Sequence, residues 1–279
     1  MTWLVIGSRG QLGNDLLRVL GERAVGVDVP DIDITDLDSV RETLDRVGPE
    51  VVVNCAAYTA VDAAETDETR AEAVNGRGPA NLARACRTRL LHISTDYVFN
   101  GTAASPYPED AAPAPRSAYG RTKLHGERAV LNHPDAYVVR TAWLYGATGR
   151  NFVKTLLELE RTRETVSVVT DQVGQPTWSR DLAGQLVRLG ESSAEPGVYH
   201  GTNAGQTSWF GFARRIFSLL GADPARVQPT TTDQFPRPAA RPAYSVLGHE
   251  RWRRQGLPEM RPWEQALAEA LSSIRAATP

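Results

Sequence analysis

Trp3-Leu4-Val5-Ile6-Gly7-Ser8-Arg9-Gly10-Gln11-Leu12-Gly13 is the stretch that decides the fold. Four apolar residues suited to a buried strand run into three glycines at three-residue spacing, and Gln11–Leu20 then carries apolar residues at helical intervals. A strand that turns through glycine into a helix brings backbone N–H groups, reinforced by the helix dipole, up to a pyrophosphate. Asp28 closes the next apolar run, 21 residues after Gly7, close to the roughly 20-residue offset at which an acid meets an adenosine ribose. A glycine turn that only packs helix on strand is the structural alternative. Arg9 could pair with a 2′-phosphate, whereas Asp28 favours a free ribose hydroxyl, so a site open to both NADPH and NADH is expected.

Working outward, Ala24–Asp28, Val51–Asn54, Leu90–Ser94 and Tyr137–Arg140 read as further strands, and Leu37–Val47, Pro79–Arg87 and Tyr119–Leu131 as helices. Strands alternating with helices imply a parallel sheet covered on both faces: an α/β, Rossmann-like, doubly wound fold. The Pro- and Ala-rich stretch Gly101–Arg116 reads as a surface loop. Beyond about residue 145 the rhythm loosens. Thr165–Val169 reads as a strand, and Asp181–Leu189 and Trp209–Leu220 as helices. Gln228–Tyr244, with prolines at 229, 236, 238 and 242, reads as largely irregular. The expected division is a dinucleotide-binding domain over 1–145 and a smaller C-terminal substrate-binding region over 146–279, with about 163–189 returning to the sheet.

The 279 residues suffice for one large domain or two intimate ones. A net charge of −2 gives no field for nucleic acid or an anionic membrane. No apolar run approaches the roughly 18–20 residues of a membrane helix, and Gly and Arg interrupt the opening where a signal peptide's apolar region would continue, so the expected compartment is the cytoplasm. Cys55 and Cys86 form neither a disulfide framework nor a metal quartet, and the five histidines lack metal spacing, so no metal is expected.

Tyr119-Gly120-Arg121-Thr122-Lys123 places a phenol and an ammonium one helical turn apart. Lysine is informative here, because the chain has 29 arginines and only two lysines. A neighbouring ammonium is expected to draw the phenol below its ordinary pKa of about 10, making it a usable acid–base, and can donate to ribose hydroxyls. Ser94-Thr95-Asp96-Tyr97-Val98-Phe99 lies at the carboxyl end of the fourth strand, the edge that faces the ligand crevice in open α/β sheets. A Thr95 hydroxyl there can hold a substrate carbonyl while Tyr119 delivers a proton.

Gly-x-x-Gly-x-x-Gly, a Thr after the fourth strand and Tyr-x-x-x-Lys together resemble the extended short-chain dehydrogenase/reductases. GQLG, NCAAYTAVDAAE (54–65), STDYVF (94–99), YGRTK (119–123), RTAWLYG (140–146), DQVGQPTW (171–178) and RPAYSVL (241–247) narrow the resemblance to the dTDP-4-dehydrorhamnose reductase family along nearly the whole chain. The resemblance implies NADPH-dependent reduction, NADH being accepted too, of the C4 ketone of a dTDP-4-keto-6-deoxyhexose, with Tyr119 as proton donor, Lys123 as its ribose-bound partner and Thr95 on the carbonyl. It implies cofactor contacts from Gly10, Gln11, Leu12, Asp33, Ile34, Ala56, Ala57 and Tyr58, and sugar contacts from Asp96 and Trp143. Arg241, Gln175 and Pro176 fall at the nucleotide end. Asp15 replaces a glutamate that in some members helps bridge a metal-linked dimer, which leaves a homodimer open. A 4-ketoreductase of a specialised deoxysugar pathway and a non-catalytic NADP-binding regulatory subunit are the rival readings. Trp209, beside Phe210 and Phe212, reads as core, as do the histidines.

Overall fold

The five strands expected in the first half form and run parallel: β1 (Trp3–Ile6), β2 (Ala24–Val27), β3 (Val51–Asn54), β4 (Arg89–Thr95) and β5 (Ala136–Thr141). A sixth strand, Gly197–His200, joins parallel to β5, giving the order β2-β1-β3-β4-β5 and then Gly197–His200. The computed structural model describes residues 1–277. Strand order reverses between β1 and β3, so a crevice opens at their carboxyl ends.

Side chains alternate across β1 as a strand requires. Trp3 and Val5 pack with Leu12 and Leu16 of helix Gln11–Leu20 and with Leu182 and Leu186 of helix Ser179–Glu191. Leu4 and Ile6 face the other layer, with Val40 of helix Leu37–Val47, Leu82 of helix Gly78–Ala85 and Val130 of helix Ala118–Val130. Both faces of the sheet are therefore covered.

A second core joins Leu156 of helix Phe152–Thr162, Phe212 and Ile216 of helix Trp209–Leu220, and Ala266, Leu267 and Ile274 of helix Trp263–Ala276. The last helix was not among the expected elements. Segment 163–189 does not return a strand to the central sheet: Val166–Val169 pairs with Val227–Thr230, and only the helix Ser179–Glu191 packs on the sheet. Val227–Thr230 also corrects the expectation of irregular chain there. Pro229, which has no N–H, is accommodated because every strand of a two-stranded sheet is an edge. The loop 101–116 is irregular but not wholly at the surface, since Tyr107 is buried in a stack on Phe99 at 4.2 Å and Glu109 is buried as well.

Candidate active site

The glycine turn is built by close approach. Gly7 sits at φ 78°, where a side chain is strained, and a Cβ there would lie 2.7 Å from the Ala56 nitrogen; one at Gly13 would lie 2.2 Å from the Gly7 carbonyl oxygen. Gly10 precedes helix Gln11–Leu20 and supplies no side-chain cap, so the first N–H groups of that helix face the cavity that Gly10, Gln11, Leu12 and Gly13 line. That is an anion site by construction. Asp28 accepts from the Arg9 and Val29 N–H groups, each at 2.9 Å, while the exposed Arg9 guanidinium donates to the Val29 carbonyl at 3.1 Å. Asp28 thus fixes the loop, and its carboxylate retains acceptor capacity for a ribose hydroxyl.

The cavity, about 1020 Å³, runs from this turn past the ends of β4 and β5 into the C-terminal region. Thr95, Asp96, Tyr119, Lys123, Trp143 and Arg241 all line it. Ser117 caps helix Ala118–Val130 by accepting from Gly120 N–H, which starts the helix one residue before Tyr119. Lys123, almost wholly buried, donates to the Ile93 carbonyl at 2.6 Å and lies 3.5 Å from His92 Nε2. Burial draws its ammonium down to about 8, with Glu127 and Cys55 opposing.

The expectation that Lys123 lowers the Tyr119 pKa is corrected: burial pushes the phenol up to about 12, contact with the Thr95 hydroxyl only partly offsets this, and nearby Asp96 adds to the rise. The phenol is therefore protonated at every ordinary pH, the state a proton donor needs. Thr95 donates to Asp96 at 3.0 Å and accepts from the Tyr97 N–H. Burial raises the Asp96 carboxyl to about 6, with the hydroxyls of Ser245 and Thr95 pulling the other way. Asp96 Oδ2, Ser94 Oγ and Thr141 Oγ1 are buried without a partner on this one wall. Buried polar atoms are nearly always paired, so such a cluster marks where a polar ligand completes the set.

Of the other expected residues, some line the cavity and some do not. Gln175 is buried and spent, donating to the Leu247 carbonyl at 3.2 Å and accepting from Leu247 N–H at 2.8 Å and Thr202 at 2.9 Å; with the buried Pro176 it braces the chain rather than lining the cavity. Asp33 caps its own turn through Thr35, and the Ile34 carbonyl accepts from Asn81, both outside the cavity wall. Ala57 lines the wall, and Ala56 backs Gly7. Tyr58 is tied through both backbone polar groups to Asn75, a buried residue in a π-helical turn over Ala73–Arg77 that also donates to Thr122. Arg241 is not unpaired: it donates to Asp62 at 2.8 Å and to the Ala239 carbonyl at 2.9 Å.

Arg237 and Trp209 line the cavity without having been expected there, and His92 and Asp62 stand behind it, against Lys123 and Arg241. A single His or Asp carries no spacing signal, and Trp209 looks like core because it stands beside Phe210 and Phe212. Cys55 lines the cavity, but burial raises its thiol to about 12, so it is not a nucleophile at neutral pH. Among the described residues no cluster of His, Cys, Asp and Glu could hold a metal, and no helix is long and apolar enough to cross a membrane. Asp15 points inward, accepting from Ser179 at 2.5 Å.

A family model described as RmlD substrate binding domain matches residues 1–276. A Streptomyces antibioticus protein named probable dTDP-4,6-dihydroxy-2-methyloxan-3-one 4-ketoreductase is 52% identical, covering 99% of this chain and 97% of its own. A Streptomyces griseus dTDP-4-dehydrorhamnose reductase is 51% identical, over 98% and 93%. The crystal structure of dTDP-4-dehydrorhamnose reductase from Bacillus anthracis in complex with NADP superposes with a TM-score of 0.94 at 38% identity, covering 98% of this chain and 99% of that one.

Proposed function

The chain belongs to the RmlD substrate binding domain family, and from that premise we propose that it is an NADPH-dependent reductase converting dTDP-4-dehydro-L-rhamnose to dTDP-L-rhamnose. The observation that carries the reading is the meeting of Tyr119, Thr95 and Lys123 on the wall of a cavity that also holds an uncapped helix N-terminus. One continuous space thereby suits a dinucleotide and a ketone together.

When bound, NADPH supplies the hydride that reduces the keto carbon. Gly10, Gln11 and Leu12 offer backbone N–H groups to its pyrophosphate, and Arg9, exposed beside the loop, is available to a 2′-phosphate, while Asp28 leaves NADH acceptable. Lys123 presents its ammonium to the ribose. Thr95 turns its hydroxyl from Asp96 to the ketone oxygen and holds it by a hydrogen bond, and as negative charge develops there the Tyr119 O–H passes its proton to that oxygen, so the carbonyl becomes a hydroxyl. Asp96 Oδ2 accepts from a sugar hydroxyl. Arg241 meets the diphosphate, exchanging its bond to Asp62 for a bidentate one. Residues 1–145 hold the dinucleotide and carry the sugar contacts Thr95, Asp96 and Trp143, while 146–279 mainly bind the nucleotide end, in a cytoplasmic protein.

A second reading, a 4-ketoreductase for another dTDP-deoxysugar, is favoured by the name of the Streptomyces antibioticus relative. An NADP-binding regulatory subunit is disfavoured, since it has no need of an intact Tyr119, Lys123 and Thr95. The test supplies enzymatically made dTDP-4-keto-6-deoxyglucose with and without a 3,5-epimerase, follows NADPH and NADH oxidation, and identifies the product sugar by NMR. Epimerase-dependent oxidation giving the rhamnose stereochemistry supports the first reading. Oxidation without the epimerase supports the second, and none in either arm removes the first.

A further inference from the structure

Trp143 is the single non-glycine residue with positive φ among the described residues, at 45°. A bulky side chain does not choose that conformation, and it persists only where the surroundings over-determine it, commonly at functional sites. Two elements of the C-terminal region supply the constraint. The indole of Trp143 stacks on that of Trp209 with centroids 3.6 Å apart and planes 10° from parallel. Gly174 leaves the ring its room: a Cβ there would come within 2.6 Å of Trp143 Cε2. Strand Val173–Gly174 pairs antiparallel with Thr207–Ser208, and Ser208 caps helix Trp209–Leu220, so one short ladder fixes both the floor and the stacking partner. Phe152 leans on Trp209 at 4.5 Å, and Trp143, Phe152 and Trp209 all line the cavity.

We infer that Trp209, with Gly174, is a positioning residue for catalysis: the pair clamps Trp143 in its strained conformation and so fixes the part of the indole that borders the cavity against the sugar ring. The inference rests on the proposed reduction of a nucleotide sugar. It makes Trp209 a contributor to substrate placement without direct involvement in proton transfer, and it explains why two tryptophans meet face to face at a cavity rather than inside the core.

The experiment compares wild type, Trp209→Phe, Trp209→Leu and Gly174→Ala, each assayed with the dTDP-4-keto-6-deoxyhexose that wild type turns over. Aromatic pairs contribute beyond simple burial, so Trp209→Leu is expected to raise the sugar KM about threefold to tenfold. NADPH affinity should be unchanged, and Trp209→Phe should recover most of the loss. Gly174→Ala, which keeps both indoles but displaces one, is expected to raise KM likewise. The exciton couplet of the stacked indoles in circular dichroism should be present in wild type, shift on adding the sugar nucleotide and vanish in Trp209→Leu. An unchanged KM in Trp209→Leu or in Gly174→Ala, in a protein whose near-ultraviolet spectrum otherwise shows native packing, overturns the inference. So does equal weakening of NADPH. A wild type that reduces no such sugar refutes the functional reading instead, and the couplet then still reports whether the stack exists.

Discussion

Lys123→Met separates what the site costs the fold from what it gives to catalysis. The Lys123 ammonium, ordinarily ionising near 10.5, is drawn by burial to about 8. An unfolded chain holds that proton up to about 10.5 and the folded one only to about 8, so below pH 8 the folded state carries the full penalty of burying a charge. At about 1.4 kcal/mol per pH unit that penalty is on the order of 3 kcal/mol, and it is relieved as pH rises from about 8 to 10.5. Methionine fills a similar volume without charge. Against the gain stands the lost bond to the half-buried Ile93 carbonyl, at a cost of about 1–3 kcal/mol for a hydrogen bond to a charged group. The Glu127–Arg140 pair, at 2.8 Å and 2.9 Å, remains to neutralise Glu127. The variant is therefore expected to be as stable as wild type, or up to about 2 kcal/mol more stable, at pH 7, with reductase activity nearly abolished. Urea denaturation at pH 7 and pH 10 reads both proteins. Wild type should gain on the variant by about 2–3 kcal/mol between those pH values, because every other titrating group is common to the two. A stability difference that does not change with pH, or a variant more than about 2 kcal/mol less stable at pH 7, would refute the reasoning.

Tyr119→Phe removes one hydroxyl and should leave folding and NADPH binding intact while turnover falls by roughly 10²–10⁴; a fall under tenfold in steady-state assays would point to another proton donor. Asp96→Asn should abolish an acid limb near pH 6 in the kcat/KM profile, since the raised carboxyl ionises there and accepts from the sugar only as carboxylate; an unchanged limb assigns it to a different group. Arg9→Ala should weaken NADPH about tenfold or more and NADH little, as expected for a hydrogen bond to a charged group of about 1.5–3 kcal/mol, and fluorescence titration showing equal weakening of both cofactors ends that assignment. Arg241→Ala should lower kcat/KM for the dTDP-sugar by at least about tenfold on the same scale, and dTDP should protect the variant less than wild type against thermal unfolding.

Local patterns made much of this molecule legible. Helices Gln11–Leu20, Leu37–Val47 and Trp209–Leu220 have the bounds that apolar spacing predicts, because each packs one stripe on a core. Tyr119, Lys123 and Thr95 could be read because one helical turn and one strand end place them. What the sequence hid depends on distant partners. Arg241 and Asp62 are 179 positions apart, so nothing local tells that the guanidinium is already paired. Gln175 looked available for the same reason, although Leu247 and Thr202 occupy its amide. The sixth strand, Gly197–His200, is too short to show a period and takes its place only because β5 offers an open edge. The direction of the Tyr119 shift was also beyond reach, since it depends on burial that no motif displays.

The choice of lysine at 123, in a chain that otherwise uses arginine almost throughout, follows from the acceptors the site offers. Around Nζ stand the Ile93 carbonyl at 2.6 Å and one nitrogen of a His92 ring, whose pKa burial and the Lys123 charge hold well below the usual value. A guanidinium carries five N–H donors in a rigid fork, and with so few acceptors most of them would be buried and unsatisfied. It would also keep its charge at any pH, whereas an ammonium leaves one or two donors over, about what a ribose edge can accept. The site thus carries a buried charge that destabilises the fold and presents its spare donors toward the cavity, while Glu127, paired with Arg140, works against the effect of burial and favours the charged form of Lys123.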